Sequence, residues 1–314
     1  MALIEINHLK KYFNTAGGTL HAVDDVTLDI EKSTTLGVVG ESGCGKSTLG
    51  RTLIKLTEPT DGEILFNGQD ITRLKPKEFK SLRVRMQMIF QDPYASLDPR
   101  MSVSQLIAEP IRTHRLAGSK QELDRQVQAL MDTVGLASRL KNSYPHELDG
   151  GRRQRIGIAR ALSVNPDFIV CDEPVSALDV SIQAQVLNLL QDLQGERNLT
   201  YMFITHDMSV VKHISDEICV MYLGQVVEKC QSKALFMQPM HPYSQALLSA
   251  IPVPNIHIKK KKIEMRGELT SPIDPKPCCR FAPRCPYADE QCFKQQPELK
   301  DVGQGHLVMC HHVQ

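Results

Sequence analysis

Near the start of the chain, apolar and polar residues alternate in two stretches, LIEINHL and HAVDDVTLDI. A period of two is typical of strands that bury one face, so we expect both stretches in a small antiparallel sheet. The segment GEILFNGQDI predicts a further strand, and Asn67-Gly68 within it favours a tight turn.

Continuous apolar runs predict strands that are buried on both faces, and they are TLGVVG, PDFIVCDEP and YMFITHD. Helical periodicity is found in STLGRTLIKL, in residues 101–141 and in SIQAQVLNLLQDLQGE. The stretch ICVMYLGQVVEK indicates two short strands around Gly224. Strands that alternate with helices indicate an α/β fold with a mostly parallel sheet covered on both faces.

The character of the chain changes near residue 251. The segment IPVPNIHIKKKKI is interrupted by proline and then basic, which is typical of a linker. The remainder, through Gln314, is rich in Pro and Cys and has little periodicity. Such a segment buries little core unaided and needs a metal or a partner surface. We therefore predict a main domain over 1–250 and an extension over 251–314.

Composition excludes several classes of protein. The 314 residues carry 37 Lys+Arg against 36 Asp+Glu, and Trp is absent, so nucleic acid is not the expected partner. No apolar run approaches the ~20 residues that span a bilayer. The first residues, MALIEINHLKKYF, lack a signal-peptide pattern, which predicts a cytoplasmic chain. In that reducing compartment the nine Cys are not expected to form disulfides.

The segment GESGCGKST at 40–48 fits the phosphate-loop pattern between a predicted strand and a predicted helix. Gly40, Gly43 and Gly45 let the backbone turn its N–H groups inward around Ser42, and with the helix N-terminus these groups bind phosphates. Lys46 is expected to reach the β- and γ-phosphates. Ser47 is expected to ligate Mg²⁺, with Thr48 completing the first helical turn. A glycine-rich turn without a ligand is the alternative explanation.

Two acidic residues end the apolar run FIVCDEP. Asp172 is placed to hold Mg²⁺ through water. Glu173 is placed to act as general base on the attacking water. Alone, such a pair is more often the start of a helix, but after a phosphate loop the catalytic interpretation is favoured.

Four further segments complete the pattern, and in chain order they are KKYF around Tyr12, FQDP at 90–93, SALD at 176–179 and ITHD at 204–207. With the two motifs above, they make residues 1–250 resemble the ATP-binding subunits of ABC transporters. The resemblance implies a P-loop NTPase of the ABC ATPase fold, with an antiparallel β subdomain, a helical subdomain about 95–160 and a small Cys-rich C-terminal extension. It implies that Tyr12 stacks on adenine, Gln91 couples Mg²⁺ and water to the permease, His206 bonds the γ-phosphate and Asp179 organises the dimer.

One motif departs from the family pattern. The usual Leu-Ser-Gly-Gly-Gln is Leu-Asp-Gly-Gly-Arg at 148–152. In the family this motif caps the γ-phosphate bound to the partner ATPase. Asp149 is a like charge to that phosphate, which Arg152 or Arg153 would offset, while Gly150 and Gly151 keep the close approach. We therefore expect an impaired site on the partner and an intact site on this chain's own phosphate loop.

The segments QDPYASLDPRM, HPYSQALLSAIP and PKPCCRFAPRCPYADEQC resemble the oligopeptide and dipeptide importers within this family. The resemblance implies a subunit at the cytoplasmic face of the membrane, partnered by two transmembrane permeases, a second homologous ATPase and, indirectly, an extracytoplasmic solute-binding protein. Importers of nickel, glutathione or sugars are alternatives. A soluble ABC-type ATPase is a further alternative, which the single ATPase cassette of this chain disfavours. A module that binds ATP without hydrolysing it is disfavoured because Glu173 and His206 are both present.

Clustered thiols in the tail, at Cys279, Cys285, Cys292 and Cys310, indicate an Fe–S or zinc site. Similar importers carry a [4Fe–4S] cluster at these positions, which the resemblance implies here, with zinc as the alternative. Cys278 is then a spare thiol, and His306, His311 and His312 are alternative ligands. Arg280 and Arg284 are expected to offset the thiolate charge. A thiol-rich tail without metal is the other alternative.

Overall fold

The computed structural model describes residues 2–251, 263–267 and 270–313. Nearly all of the predicted linker lies outside these residues. The strands are β1 (Ala2–Thr15), β2 (Gly18–Glu31), β3 (Thr35–Val39), β4 (Asp61–Phe66), β5 (Gln69–Asp70), β6 (Met86–Ile89), β7 (Phe168–Asp172), β8 (Thr200–Ile204), β9 (Glu217–Tyr222), β10 (Gln225–Gln231), β11 (Lys300–Asp301) and β12 (Leu307–Val308).

The α-helices are α1 (Lys46–Leu53), α2 (Pro76–Phe79), α3 (Val103–Thr113), α4 (Lys120–Thr133), α5 (Gly150–Leu162), α6 (Val180–Arg197), α7 (Met208–Ile214), α8 (Ser232–Met237), α9 (Pro242–Ser249) and α10 (Glu290–Lys294). Short 3-10 turns lie at Leu82–Val84, Ser138–Asn142, Pro145–Glu147 and Ala282–Arg284. Within the described residues, no helix is both long and apolar enough to cross a membrane.

Two compact units divide the chain. The first takes residues 1–31, 35–73 and 203–314, and the second takes 32–34 and 74–202. The described tail thus belongs to the same unit as the phosphate loop, whereas the sequence pattern suggested a boundary at 250. The predicted helical subdomain, with α3, α4 and α5, lies inside the second unit.

The first unit contains two sheets. The alternating stretches form a four-stranded antiparallel sheet in the order β2-β1-β4-β5, with Ile6 opposite Leu28 and Ile64. In the other sheet β3 runs parallel to β9, and β9, β10, β12 and β11 follow one another in antiparallel pairs. All five residues of β3 are buried, as its continuous apolar run predicts.

The tail supplies part of the first unit's core. Phe281 and Cys285 are buried in one apolar cluster with Tyr222, Tyr243 and Leu248. β12 extends the sheet by pairing Val308 with Glu228 of β10. The segment that lacks its own periodic apolar pattern is therefore ordered on a surface that the cassette provides, as its composition requires.

The second unit is built on helices and two strands. β6 and β7 pair in parallel, with Ile89 opposite Cys171. Helix α3 packs against α4 and α5, and α5 also packs against α6. The buried faces of these helices carry apolar residues at helical spacing, such as Leu106, Ile107 and Ile156.

Candidate nucleotide site and cysteine cluster

The phosphate loop of the first unit curls on three glycines with positive φ, at 152° for Gly40, 77° for Gly43 and 103° for Gly45. A Cβ on Gly40 would lie 2.2 Å from the Met221 carbonyl oxygen, and one on Gly45 would lie 2.0 Å from that of Ala22. A Cβ on Gly43 would meet no atom within 4 Å. Two glycines are thus required by close packing, whereas at Gly43 the positive φ alone favours glycine.

Lys46 begins helix α1 directly after this loop, and Ser47 and Thr48 follow in the first turn, while Ser42 is exposed in the loop. The Lys46 Nζ donates to the carbonyl oxygens of Gly40 at 2.8 Å and Glu41 at 2.9 Å. The ammonium group therefore lies folded over the loop. It also donates to Cys44 Sγ at 3.7 Å, so all three of these partners are uncharged, and an ammonium group bonds phosphate oxygens more strongly than such acceptors.

Tyr12 lies on β1 with its ring stacked on His21 of β2, with 3.9 Å between ring centroids. Its hydroxyl donates to Asp24, and burial together with this bond raises the pKa of Tyr12. Burial alone would raise the pKa of Asp24, but hydrogen bonds from Tyr12 and His21 and the charge of Arg280 keep it lowered. The ring that was predicted to stack on adenine is thus fixed at its hydroxyl end.

His206 follows β8 and is exposed. Its neighbour Asp207 caps helix α7 by accepting from the Ser209 N–H at 2.7 Å. The N–H of Thr205 donates to the Val38 carbonyl of β3 at 3.1 Å. Both neighbours of His206 are therefore fixed by hydrogen bonds, Thr205 to strand β3 and Asp207 to the start of helix α7.

In the second unit, β7 ends at the buried Asp172, and Glu173 follows in the left-handed region with φ 46°. The Gln91 side-chain amide donates to Glu173 Oε2 at 2.9 Å. These two residues are 82 positions apart in the sequence, and the structure brings their side chains together.

Asp179 precedes α6, and its carbonyl accepts from the Gln183 N–H at 2.8 Å. Asp149 precedes α5, and its side chain accepts from the Arg152 N–H at 2.8 Å. Asp149 is therefore a helix cap, which the sequence pattern did not indicate. A Cβ on Gly151 would lie 2.6 Å from Ile182 Cγ2, so this glycine is needed where α5 meets α6.

The two arginines that were expected to offset the Asp149 charge differ in position. Arg152 Nη1 lies 3.3 Å from Asp149 Oδ2, which agrees with that expectation. Arg153 is buried, stacks over Tyr94 at 3.6 Å and donates from Nε to the Pro145 carbonyl at 2.5 Å. Its contacts are internal, so within the described residues Arg152 is the arginine that pairs with Asp149.

The four tail thiols lie in one neighbourhood. Cys279 is influenced electrostatically by Cys292 and Cys310, and Cys285 by Cys310. Burial raises the pKa of Cys279 to about 11 and raises those of the other three above the ordinary value. Backbone N–H groups point at the sulfurs, including that of Tyr287 at 3.4 Å from Cys285 Sγ. Cys285 and Cys292 are buried and Cys279 and Cys310 are partly buried, and four such thiols in one neighbourhood are residues that could hold a metal.

The alternative histidine ligands are placed unequally. His312 Nε2 lies 3.6 Å from Cys292 Sγ. His311 is bonded to the Gln295 carbonyl at 2.9 Å, and the buried His306 is bonded to Glu228 Oε1 at 2.7 Å. His312 is thus the histidine beside the thiols.

Arg280 and Arg284 pair with carboxylates outside the cysteine cluster. Arg280 pairs with Asp24 and Arg284 with Glu41, so their expected role toward the thiolates is replaced by ion pairs with the cassette. Neither carboxylate stood out in the sequence, because partners that are more than two hundred residues apart leave no local pattern.

Known proteins resemble the chain over its whole length. Residues 23–176 match the family described as "ABC transporter", and residues 227–292 match the family described as "Oligopeptide/dipeptide transporter, C-terminal region". The chain is 50% identical to the oligopeptide transport ATP-binding protein AppF of Bacillus subtilis, covering 98% of this chain and 97% of that protein. It is also 50% identical to OppF of Escherichia coli, covering 98% and 95%.

Solved structures agree on the fold. The ATP-binding cassette MJ0796, in a dimeric post-hydrolysis state bound to ADP and Pi, has a TM-score of 0.68 at 27% identity, over 73% of this chain and 98% of that chain. The cbiO1 protein of Clostridium perfringens, part of the ABC transporter complex cbiONQ, has a TM-score of 0.67 at 27% identity, over 76% and 91%. The chain therefore belongs to the ABC transporter family of ATPases, in the group that carries the oligopeptide/dipeptide transporter C-terminal region.

Proposed function

We propose that the chain hydrolyses ATP to energise the import of oligopeptides. The observation that carries this proposal is the 50% identity to oligopeptide transport ATP-binding proteins over nearly the full length of both chains. The cassette never touches the solute, so nickel and glutathione remain the competing solutes on the same machinery.

The proposed site residues divide the work of phosphoryl transfer, which rests on positioning and on stabilising charge. Lys46 and the loop N–H groups bind the phosphates, and Tyr12 stacks on the base. Mg²⁺, when bound, would offset the negative charge of the phosphates, and the residues that would hold it are Ser47, Gln91 and Asp172. Glu173 takes the proton from the attacking water, and His206 bonds the γ-phosphate.

The proposed assembly places the chain at the cytoplasmic face of the membrane. Its partners are two permease subunits, a second ATPase with which it forms a heterodimer, and, through the permeases, an extracytoplasmic solute-binding protein. Asp179 organises the contact between the ATPases. Asp149, Gly150 and Gly151 approach the nucleotide of the partner, and the Asp149 charge supports pairing with a different ATPase rather than with a second copy.

We also propose that Cys279, Cys285, Cys292 and Cys310 hold a [4Fe–4S] cluster. A single tetrahedral zinc ion would bring its thiolates to about 3.8 Å from one another. Among the described residues, no three of these thiols lie within 4.8 Å of one another, a spacing wider than one zinc ion needs, whereas Cys292 lies that close to Asp289 and His312, which keeps zinc as the alternative. The cluster would supply structural cross-linking of a segment with little core of its own.

Transport by the reconstituted complex tests the proposed solute. Proteoliposomes would contain this chain, the second ATPase and the two permeases, with the solute-binding protein outside. We expect ATP-dependent uptake of a labelled oligopeptide, and no uptake with Lys46→Ala. Uptake of nickel or glutathione in place of peptide would contradict the solute assignment, and ATP hydrolysis by a chain that never joins the permeases would contradict the transporter assignment.

A further inference from the structure

The tail segment from Cys279 to Cys285 packs directly beside the proposed nucleotide site within the first unit. Phe281 lies edge-on to Tyr222 with centroids 5.2 Å apart, and 5.4 Å from the ring of Tyr243. The Tyr243 hydroxyl in turn accepts from the Glu41 backbone N–H at 2.8 Å. The aromatic contact therefore brings the tail to the first residue after Gly40 in the phosphate loop.

Arg284 pairs with the Glu41 side chain in a two-bonded arrangement. Its Nη1 lies 2.6 Å from Oε2, and its Nη2 lies 3.0 Å from Oε1. The side chain of Arg284 is 9% exposed and that of Glu41 is 24% exposed. A bidentate pair of this kind fixes the orientation of the Glu41 carboxylate relative to the Arg284 guanidinium as well as the distance between them.

Glu41 is consequently held at three points. Arg284 holds its carboxylate, Tyr243 holds its N–H, and Lys46 donates to its carbonyl oxygen. When Lys46 turns toward a phosphate, the other two contacts keep the loop in its curled form. A loop fixed before binding loses less freedom when the ligand arrives.

Arg280 reaches the other side of the proposed site. It donates to Asp24 and to the Leu223 carbonyl, and its side chain is 6% exposed. Asp24 accepts from the hydroxyl of Tyr12 and lies 3.1 Å from His21 Nδ1, and His21 is the ring on which Tyr12 stacks. The orientation of the Tyr12 ring thus depends on a carboxylate whose charge is balanced by the tail.

We propose that Arg280 and Arg284 are positioning residues for ATP: Arg284 fixes the phosphate loop through Glu41, and Arg280 fixes the base-stacking ring through Asp24 and Tyr12. This inference rests on the proposed roles of the phosphate loop and Tyr12. The Cys-rich segment then sets the affinity for nucleotide, and its two arginines act on separate parts of the same ligand.

Binding of two probes by the full-length chain tests the proposal. The probes are Mg-ATP and Mg-bound inorganic triphosphate, which has the phosphates and no base. We expect Arg284→Gln to weaken both by about tenfold, and Arg280→Gln to weaken ATP by a similar factor while leaving triphosphate unchanged. Lys294→Gln is the matched control, because it removes an exposed ion pair with Glu290 elsewhere in the tail, on α10. Its affinities for Mg-ATP and for triphosphate should stay at the wild-type values.

Two further variants separate positioning from folding. Arg284→Lys keeps the positive charge but cannot make the two-bonded contact with the Glu41 carboxylate. The affinity of this variant for both probes should therefore lie between those of the wild type and Arg284→Gln. Glu41→Gln breaks the same pair from the other side and tests it even where Arg284→Gln fails to fold. Adding Arg284→Gln to Glu41→Gln should cause no additional loss of affinity.

If Arg280→Gln and Arg284→Gln lower the melting temperature but bind both probes like the wild type, the proposal is overturned. The two arginines would then only hold the tail on the rest of the first unit. Equal weakening of both probes by Arg280→Gln would overturn its assignment to the base. A wild-type chain that binds neither probe would refute the proposed nucleotide site itself, which separates that failure from failure of the arginine coupling.

Discussion

The backbone of Glu173 adopts an unfavourable conformation. Its φ of 46° lies in the left-handed region, which costs a non-glycine residue on the order of 1 kcal/mol. The Ser176 N–H and hydroxyl both bond the Glu173 carbonyl, at 3.2 and 3.1 Å, and so stabilise this turn. The carboxylate is thereby directed to Gln91 at the end of a buried strand.

Glu173→Gln should preserve this geometry and remove the base. We expect ATP to bind as in the wild type, while hydrolysis falls by ~100-fold or more, because general-base catalysis contributes that much. Phosphate release is measured in a complex whose partner site is disabled by its own matching substitution. Wild-type release by the variant would refute the assignment of Glu173 as the base.

His241 makes stability depend on pH. Burial lowers its pKa to about 3, from an ordinary value of 6.5, and its Nδ1 accepts from the Tyr243 N–H at 3.1 Å at the start of α9. The folded chain keeps this ring neutral while the unfolded chain protonates it. Its contribution to stability is therefore complete above pH 6.5 and is lost progressively as the pH falls toward 3.

We expect this group to remove about 1 kcal/mol of unfolding free energy between pH 7 and pH 5.5. His241→Asn keeps a capping acceptor and does not titrate, so its stability should fall less over the same interval. Urea denaturation at both pH values measures the difference. Parallel losses in the two proteins would show that His241 does not carry the pH dependence.

How far the site follows from the sequence depends on whether its residues are contiguous. The phosphate loop and the pair Asp172 and Glu173 are predictable because each is a short run between a strand and a helix. The pairs Arg284–Glu41 and Arg280–Asp24 join residues 243 and 256 positions apart, and no periodicity links them. Such pairs follow only from the packing of the tail on the cassette.

At the scale of elements, helix α5 gives the unusual aspartate in the family motif a structural role. Asp149 satisfies the Arg152 N–H, one of the unpaired donors at a helix start. Aspartate and serine cap helices about equally well, so the fold tolerates either. The structural role and the charge facing the partner's phosphate are thus separable by substitution.

Asp149→Ala should lower the unfolding free energy by about 1 kcal/mol, and Asp149→Ser should change it by less than about 0.5 kcal/mol. Because Asp149→Ser also removes the like charge, hydrolysis at the partner's nucleotide should rise. Denaturant unfolding of this chain and phosphate release by the heterodimer are the two measurements. Equal destabilisation by serine and alanine would contradict the capping role.

The order of the tail depends on contacts with the rest of the first unit, through its buried residues and the ion pairs of Arg280 and Arg284. Anaerobically purified protein should be brown, absorb broadly near ~400 nm and contain roughly four irons per chain. Cys279→Ser should remove the colour and lower the thermal stability, because metal binding contributes folding free energy on the order of 10 kcal/mol in thiolate sites.

Cys278→Ser is the matched control, since this neighbouring thiol is the one not assigned to the cluster, and its iron content should match the wild type. One equivalent of zinc in colourless protein would replace the cluster by a zinc site. Metal-free protein with an ordered tail would contradict both metal assignments.

At the scale of the whole molecule, the two nucleotide sites of the proposed heterodimer are unequal. Each site joins the phosphate loop of one ATPase to the Leu-Ser-Gly-Gly-Gln-type motif of the other. This chain contributes an intact phosphate loop and a motif with Asp149 at the serine position. We therefore propose that the site on its own loop is the competent one when the partner has the usual serine.

The last prediction compares the two phosphate-loop lysines. Lys46→Ala in this chain should abolish transport, because it removes the cation from the competent site, whereas the matching change in the partner ATPase should reduce transport less. Uptake by proteoliposomes measures both, and Lys120→Ala, at an exposed position on α4, is the control for a lysine lost elsewhere. Equal loss from the two lysine variants would contradict the asymmetry. Robust hydrolysis by this chain as a dimer of itself would contradict the need for a different partner, since Asp149 would then face both γ-phosphates without impairing the reaction.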